Sequence, residues 1–272
     1  MGFQLAKWNN KVVVVTGGSK GLGLEIARAF GLAGARIVLL ARTEPDLVSA
    51  TEQLSIEGVE STFWVTDVSS ELSIKSVFEE IAAKMGRIDV LVNNVGKSTR
   101  ANIEELDLDE ATELMDVNYF SALRCVKFAL KEILRSQGSV VNIGSLVSKT
   151  AWPFMTPYTA SKHALAALSS QLRIELGDRI HSLLVCSGPI TRSDAGKRYE
   201  EQASSLPENA TRPGAGANVK TICPIKLSQQ IVRACEKRKS ELIVPYKAKI
   251  LFVLLSLSTR IGDWFLKKSQ KK

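Results

Sequence analysis

Histidine and cysteine are scarce in this chain, with two of the former and four of the latter among 272 residues. Cys125, Cys186, Cys223 and Cys235 form no Cys-x-x-Cys pair, and only His163 and His181 are available to join them. A disulfide framework and a zinc centre are therefore excluded as organising features, no metal is expected, and the thiols read as free and buried. A signal-peptide apolar run is missing from the first ten residues, and Ala6 spoils the myristoylation pattern that Met1-Gly2 would open. The chain also lacks the about twenty uncharged apolar residues that cross a bilayer. Its strongest apolar run, Ile250 to Ser258, is closed by Lys249 and Arg260. The expected location is cytoplasmic, at most touching the cytoplasmic face of a membrane.

What is present is an ordinary globular composition. A hydrophobic share of 45%, a charged share of 24% and a mean hydropathy of +0.04 exclude wholesale disorder, collagen-like repeats and a polytopic membrane protein. The net charge of +8 is unevenly placed: Lys247, Lys249, Arg260, Lys267, Lys268, Lys271 and Lys272 against Asp263 put +6 of it after residue 246. A nucleic-acid binder spreads its cations over a face of the fold, so no nucleic-acid partner is expected. A basic tail on a nearly neutral body argues for a membrane surface or a solubilising end.

Short apolar runs alternate with stretches of helical period. Strands are expected near Lys11–Thr16, Arg36–Ala41, Ser61–Thr66, Ile88–Asn93, Ser139–Ile143, Ile180–Cys186 and Glu241–Val244. Helical spacing runs through Ile26–Phe30, and helices should fill Pro45–Glu57, Ser70–Met85, Leu108–Arg135, Thr156–Gly177 and Leu227–Glu236. Such alternation implies βαβ units with right-handed crossovers. The fold class is α/β: a doubly wound parallel sheet of about seven strands with helices on both faces, in one domain spanning 1–246 with an apolar, basic extension at 247–272. Ser187 to Pro224 breaks the rhythm with Gly, Pro, Ser and charge, and reads as a lid over the substrate.

Thr16-Gly17-Gly18-Ser19-Lys20-Gly21-Leu22-Gly23 joins the first strand to the first helix. Glycines at 17, 21 and 23 permit a tight turn and let a pyrophosphate approach backbone N–H groups at the positive end of a helix. The motif is informative because a strand precedes it and a helix follows; as a bare glycine turn it would carry no ligand. The second strand ends Ala41-Arg42-Thr43, where a ribose 2′-hydroxyl would call for an acid and a 2′-phosphate for a cation. Arg42 and Lys20, with no acid beside them, predict NADP(H); the alternative is that both cations merely face water.

Tyr158 and Lys162 stand four apart at the start of a predicted helix and so share one face. An unperturbed phenol titrates near about 10, and a nearby cation favours phenolate, which suits Tyr158 to acid/base chemistry. The pair alone is weak, since the spacing is common on ordinary helices. Ser145, just past Val140–Ile143, adds a hydroxyl at the carboxyl edge of the sheet.

With these residues together the chain resembles the short-chain dehydrogenase/reductase family, in its compact branch. Thr16-Gly17-x-x-x-Gly21-x-Gly23 matches that family's cofactor turn, and Asn93-Asn94-Val95-Gly96 its Asn-Asn-Ala-Gly segment with Val in place of Ala. By this resemblance Asp67, beside Val68, holds the adenine amino group, Asn94 and Gly96 adjoin the cofactor, and Pro189, Ile190 and Thr191 support the nicotinamide. Ser187 stands where the family has a first proline. Asn118, Ser145, Tyr158 and Lys162 match the reactive tetrad: NADPH would deliver hydride to a carbonyl carbon, Tyr158 would protonate the oxygen, Ser145 would steady it, Lys162 would lower the phenol pKa and hold the ribose, and Asn118 would link the proton path to solvent. The resemblance runs from Lys11 to about Thr191 and implies a homodimer or homotetramer.

The tail divides the remaining readings. Its short apolar run, with cations at both ends and Trp264 and Phe265 nearby, fits peripheral membrane contact; equally, it fits a cover over the substrate mouth or a subunit interface. Both point to an apolar, lipid-like carbonyl or alcohol substrate, with Trp152, Phe154 and Met155 as pocket candidates. The alternatives are an acyl-carrier or small-ketone reductase, and a scaffold that binds NADPH without turnover.

Overall fold

The computed structural model describes residues 7–192, 206–212, 214–216, 219–258, 260 and 262–263. Its centre is β1 (Val12–Thr16), in which Val12 to Val15 are all fully buried. A strand can be apolar at every position only when both of its faces are covered, as in a parallel sheet between helical layers. Val13 and Val15 join a core with helices α1 (Gly21–Leu32), α2 (Glu44–Ile56) and α8 (Pro224–Glu236). Val12 and Val14 join the opposite core, with α3 (Glu71–Met85), α5 (Ser121–Ser136) and α6 (Thr156–Leu176). The period of two along a single strand thus builds both layers.

The other strands are β2 (Arg36–Ala41), β3 (Ser61–Val65), β4 (Val90–Asn93), β5 (Ser139–Ile143), β6 (His181–Ser187) and β7 (Glu241–Val244). They form one seven-stranded sheet in the order β3-β2-β1-β4-β5-β6-β7, parallel at every pairing. The order reverses between β1 and β4, where the carboxyl ends of two adjacent strands feed loops in opposite directions and leave a crevice. The candidate site lies along that edge.

Local chemistry sets the helix ends. The Ser70 hydroxyl accepts from the Ser73 N–H (3.2 Å) to open α3, and Gly86, at φ +73°, closes it. Asp107 accepts from the Asp109 N–H (2.8 Å) at the start of α4 (Leu108–Met115). The uninterrupted helix expected over Leu108–Arg135 is broken by one wide turn at Asp116–Phe120, where the Ser121 N–H reaches back five residues to the Asp116 carbonyl. Hydropathy cannot reveal that extra residue, because α4 and α5 keep their apolar faces on either side of it.

The described residues also hold α7 (Glu208–Thr211) and α9 (Lys247–Leu257). The expected lid over 187–224 falls in part outside the described residues, at 193–205, 213 and 217–218; its two ends are tied by a parallel bridge between Ile190 and Ile222. Three cysteines are buried as expected, but Cys223 is exposed, because it lies outside the core at the residue preceding α8. Among the described residues no helix is long and apolar enough to cross a membrane, and no cluster of His, Cys, Asp and Glu could hold a metal ion.

Candidate active site

The glycine turn is shaped by contacts that leave no room for side chains. A Cβ on Gly23 would lie 2.1 Å from the Gly17 carbonyl oxygen and 2.6 Å from Asn94 Nδ2. Gly17 and Gly21 are left-handed, at φ +62° and +55°. Gly21 differs from the others in that a side chain there would meet nothing within 4 Å. The first turn of α1 has neither a side-chain cap nor an acidic residue. Open space beside uncapped N–H groups at the positive end of a twelve-residue helix fits a pyrophosphate.

Asn94 braces this turn. Its Nδ2 donates to the Thr16 and Gly17 carbonyls (3.0 and 3.1 Å), and its N–H donates to Thr16 Oγ1 (3.0 Å). Leu22 packs on the α1 side of the core and Val68 on the α3 side, so what these two offer a cofactor is backbone. Val95 also packs on the α3 side, 3.2 Å from where a Gly17 Cβ would stand. Ser19 is half-buried at the turn. Asp67 accepts from the Ser69 N–H (3.0 Å) and hydroxyl (2.7 Å); these bonds, and secondarily the Arg42 charge, hold its carboxyl below the usual range. Arg42 is exposed, whereas Lys20, exposed itself, is drawn to the half-buried Asp46 at 2.8 Å, a surface pair of the kind that holds little energy.

Farther along the edge, Asn118 and Lys162 meet at Gly96. A Cβ there would lie 3.1 Å from Asn118 Oδ1 and 3.2 Å from Lys162 Nζ. The wide turn carries Asn118 inward, where it is 1% exposed: Oδ1 accepts from the Lys97 N–H (2.8 Å), and Nδ2 donates to the Lys97 carbonyl (2.9 Å) and to Ser161 Oγ (2.8 Å). Ser161 donates in turn to the Tyr158 carbonyl (2.8 Å). Sequence reasoning missed Ser161, although its place three residues after Tyr158 puts it on the same helical face. Lys162 Nζ lies 5.8 Å from the Tyr158 ring centroid and donates to the Ile143 carbonyl (2.9 Å); burial pushes its pKa down to about 8.

Ser145 opens a short turn at Leu146–Ser148, its Oγ accepting from the Val147 N–H (3.4 Å) and its own N–H donating to Ser148 Oγ (3.1 Å). Tyr158 packs with Trp152 against Val147, Met155 and Ala215. After β6, the Gly188 N–H donates to the Val244 carbonyl (2.8 Å), and Pro189 and Thr191 bond through their backbones to Ile222 (2.8 and 2.9 Å). The segment Pro189-Ile190-Thr191 is thus fixed at the same edge despite Ser187 standing in place of a proline.

The model of the short chain dehydrogenase family matches residues 11–204. The chain belongs to this family. It is similar to Dehydrogenase/reductase SDR family protein 7-like of Drosophila melanogaster, 30% identical over 99% of this chain and 85% of that one. Among solved structures it is similar to the alcohol dehydrogenase of the archaeon Thermococcus sibiricus complexed with 5-hydroxy-NADP, at a TM-score of 0.72 and 27% identity over 86% of this chain and 95% of that one. It is also similar to an actinorhodin polyketide ketoreductase with NADPH, at a TM-score of 0.76 and 27% identity over the same shares. As a short-chain dehydrogenase the chain is an oxidoreductase that uses a nicotinamide cofactor on a small-molecule substrate, in a family that commonly forms oligomers.

Proposed function

We propose that this short-chain dehydrogenase is an NADP(H)-dependent reductase that turns the ketone or aldehyde of an apolar, lipid-like substrate into an alcohol, or runs the reverse oxidation. The observation that carries this reading is the gathering of Tyr158, Lys162, Asn118 and Ser145 on the sheet edge that also holds an open, uncapped glycine turn. When bound, the reduced nicotinamide supplies a hydride to the carbonyl carbon. Tyr158 hands its phenolic proton to the carbonyl oxygen, so no free alkoxide accumulates. Ser145 Oγ already accepts from Val147, which leaves its O–H to donate to the same oxygen. Lys162, cationic below about 8, favours the phenolate that remains. Asn118, pinned by three hydrogen bonds to Lys97 and Ser161, would link the proton path to solvent.

Arg42 supports NADP(H) over NAD(H), being an exposed cation just past the end of β2, where an NAD site would carry an acid. Arg42→Ala is expected to weaken NADPH binding about tenfold or more, as for loss of a charge-assisted bond to phosphate, and to leave NADH within about twofold. Fluorescence titration with both cofactors measures this, and equal losses remove the phosphate role. NADPH consumption over a panel of lipid and short carbonyl compounds tests the substrate class: apolar compounds should lead, and an inverted ranking rejects it.

The extension at 247–272 supports peripheral membrane contact and a division from the domain at residue 246. Tyr246, Ile250, Val253 and Leu254 are 71, 61, 56 and 53% exposed, an apolar stripe at helical spacing beside the exposed Lys247 and Lys249. Trp264, Phe265 and the last four lysines lie outside the described residues. The full chain is expected to float with anionic phosphatidylserine vesicles and to be released by salt, while a chain ending at Pro245 stays in the soluble fraction. Equal flotation of the two removes the contact. In solution we propose a homodimer or homotetramer.

A further inference from the structure

Between β6 and α8, residues 206–212 and 214–216 lie against the site, and two side chains hydrogen-bond to them. The Arg100 guanidinium, 4% exposed, donates from Nε to the Ala210 carbonyl (3.2 Å) and from Nη1 to the Thr99 carbonyl (2.9 Å). The Trp152 indole N–H donates to the Ala215 carbonyl at 2.8 Å. Ala210 and Ala215 are both fully buried, so water cannot readily stand in for either donor. Ala215 packs with Val147 and Met155 in the apolar cluster that also takes Trp152 and the Tyr158 ring.

The backbone at this contact is unusual. Gly214, Ala215 and Gly216 have φ of +75°, +50° and +75°, three left-handed residues in a row, which L-residues such as alanine avoid. Such a conformation persists only where its surroundings hold it. Phe154, two residues after Trp152, is also left-handed at φ +60°, and its carbonyl accepts from the Ala101 N–H (3.1 Å), next to Arg100. The loop after β4, the loop before α6 and the segments holding Ala210 and Ala215 are thus bonded to one another around Tyr158.

We infer that Arg100 and Trp152 are positioning residues that latch residues 206–212 and 214–216, through Ala210 and Ala215, against the Tyr158 ring, fixing an apolar wall that decides how large a carbonyl compound is held beside the phenol. The single donor of Trp152 is committed to Ala215, so this wall presents Trp152 to a substrate as apolar surface. The inference rests on the proposed role of Tyr158 for its kinetic part alone; the latch itself is a structural statement.

The test uses the full chain with Trp152→Phe, which keeps an aromatic ring and removes the donor, and Arg100→Lys, which keeps the charge and removes the planar fork. Amide exchange of peptides covering 206–216 should quicken about three- to tenfold in each variant. KM for benzil, a bulky diketone, should rise by a similar factor in both variants, while in Arg100→Lys KM for diacetyl, NADPH affinity and kcat should stay within about twofold. Unchanged exchange in both variants overturns the latch. Faster exchange with benzil and diacetyl KM values unmoved overturns the wall. Tyr158→Phe is the control, losing turnover while exchange stays as in the parent; if the parent reduces neither diketone, the reductase reading fails for these compounds and the wall with it, while exchange still decides the latch.

Discussion

Tyr158→Phe is expected to lower turnover on the best carbonyl substrate by about 10²- to 10⁴-fold, the range for removal of a positioned acid, while NADPH binds within about twofold of the parent. The substitution deletes one oxygen and keeps the ring that packs on Val147, Met155 and Ala215, so the fold should be retained. Loss of turnover with intact cofactor binding separates proton transfer from assembly of the site. Stopped-flow reduction at matched NADPH saturation measures it. Retained turnover would remove Tyr158 as the acid and leave the geometry around Lys162 and Asn118 without a reacting partner.

Lys162→Met is expected to abolish turnover to a similar degree and to change the stability profile of the protein with pH. Burial disfavours the ammonium and lowers its pKa from 10.5 to about 8. Between those values the unfolded chain holds a proton on this group that the folded chain has released, so the stability of the parent rises with pH through this window. Below about 8 both states are protonated and the full cost of the buried charge applies. At 1.36 kcal/mol per pH unit the window amounts to about 3 kcal/mol. The Met variant lacks this dependence, and with Tyr158→Phe introduced into both proteins no phenol whose titration Lys162 would influence remains beside it. The stability of the variant relative to the parent should therefore be most favourable near pH 7 and decline by about 3 kcal/mol toward pH 11. Urea unfolding of both proteins at intervals of one pH unit reads the difference, and parallel curves would show that Lys162 is not desolvated. The group placed to favour a phenolate is thus held there at a cost in stability, as functional sites commonly are.

Fold and site were legible to different depths. The strand runs could be read because a strand covered on both faces demands apolar residues at every position, a pattern plain in Val12 to Val15, and every observed strand begins and ends within two residues of its expected run. Gly17, Gly21 and Gly23 could be read because a turn beneath a helix N-terminus excludes side chains, and the contacts around Gly23 show that exclusion directly. The wide turn at Asp116–Phe120 could not, since one extra residue within a helix changes no local preference and shows only in where Asn118 points. Asn94, expected beside the cofactor, also braces β1 against β4 through hydrogen bonds that span 78 and 77 residues, a role that depends on distant strands lying side by side.

The sequence by itself determined the class of the sheet, the residue types at the turn and at Ser145, Tyr158 and Lys162, and the concentration of positive charge after residue 246, because each follows from local periodicity, backbone sterics or simple counting. Only the tertiary structure decided that Lys162 is buried, that Lys20 turns to Asp46, that Ser161 connects Asn118 to the Tyr158 backbone, and that Arg100 and Trp152 reach Ala210 and Ala215. Burial and long-range hydrogen bonds depend on which distant segments the crossovers bring together, and no window of neighbouring residues contains that information.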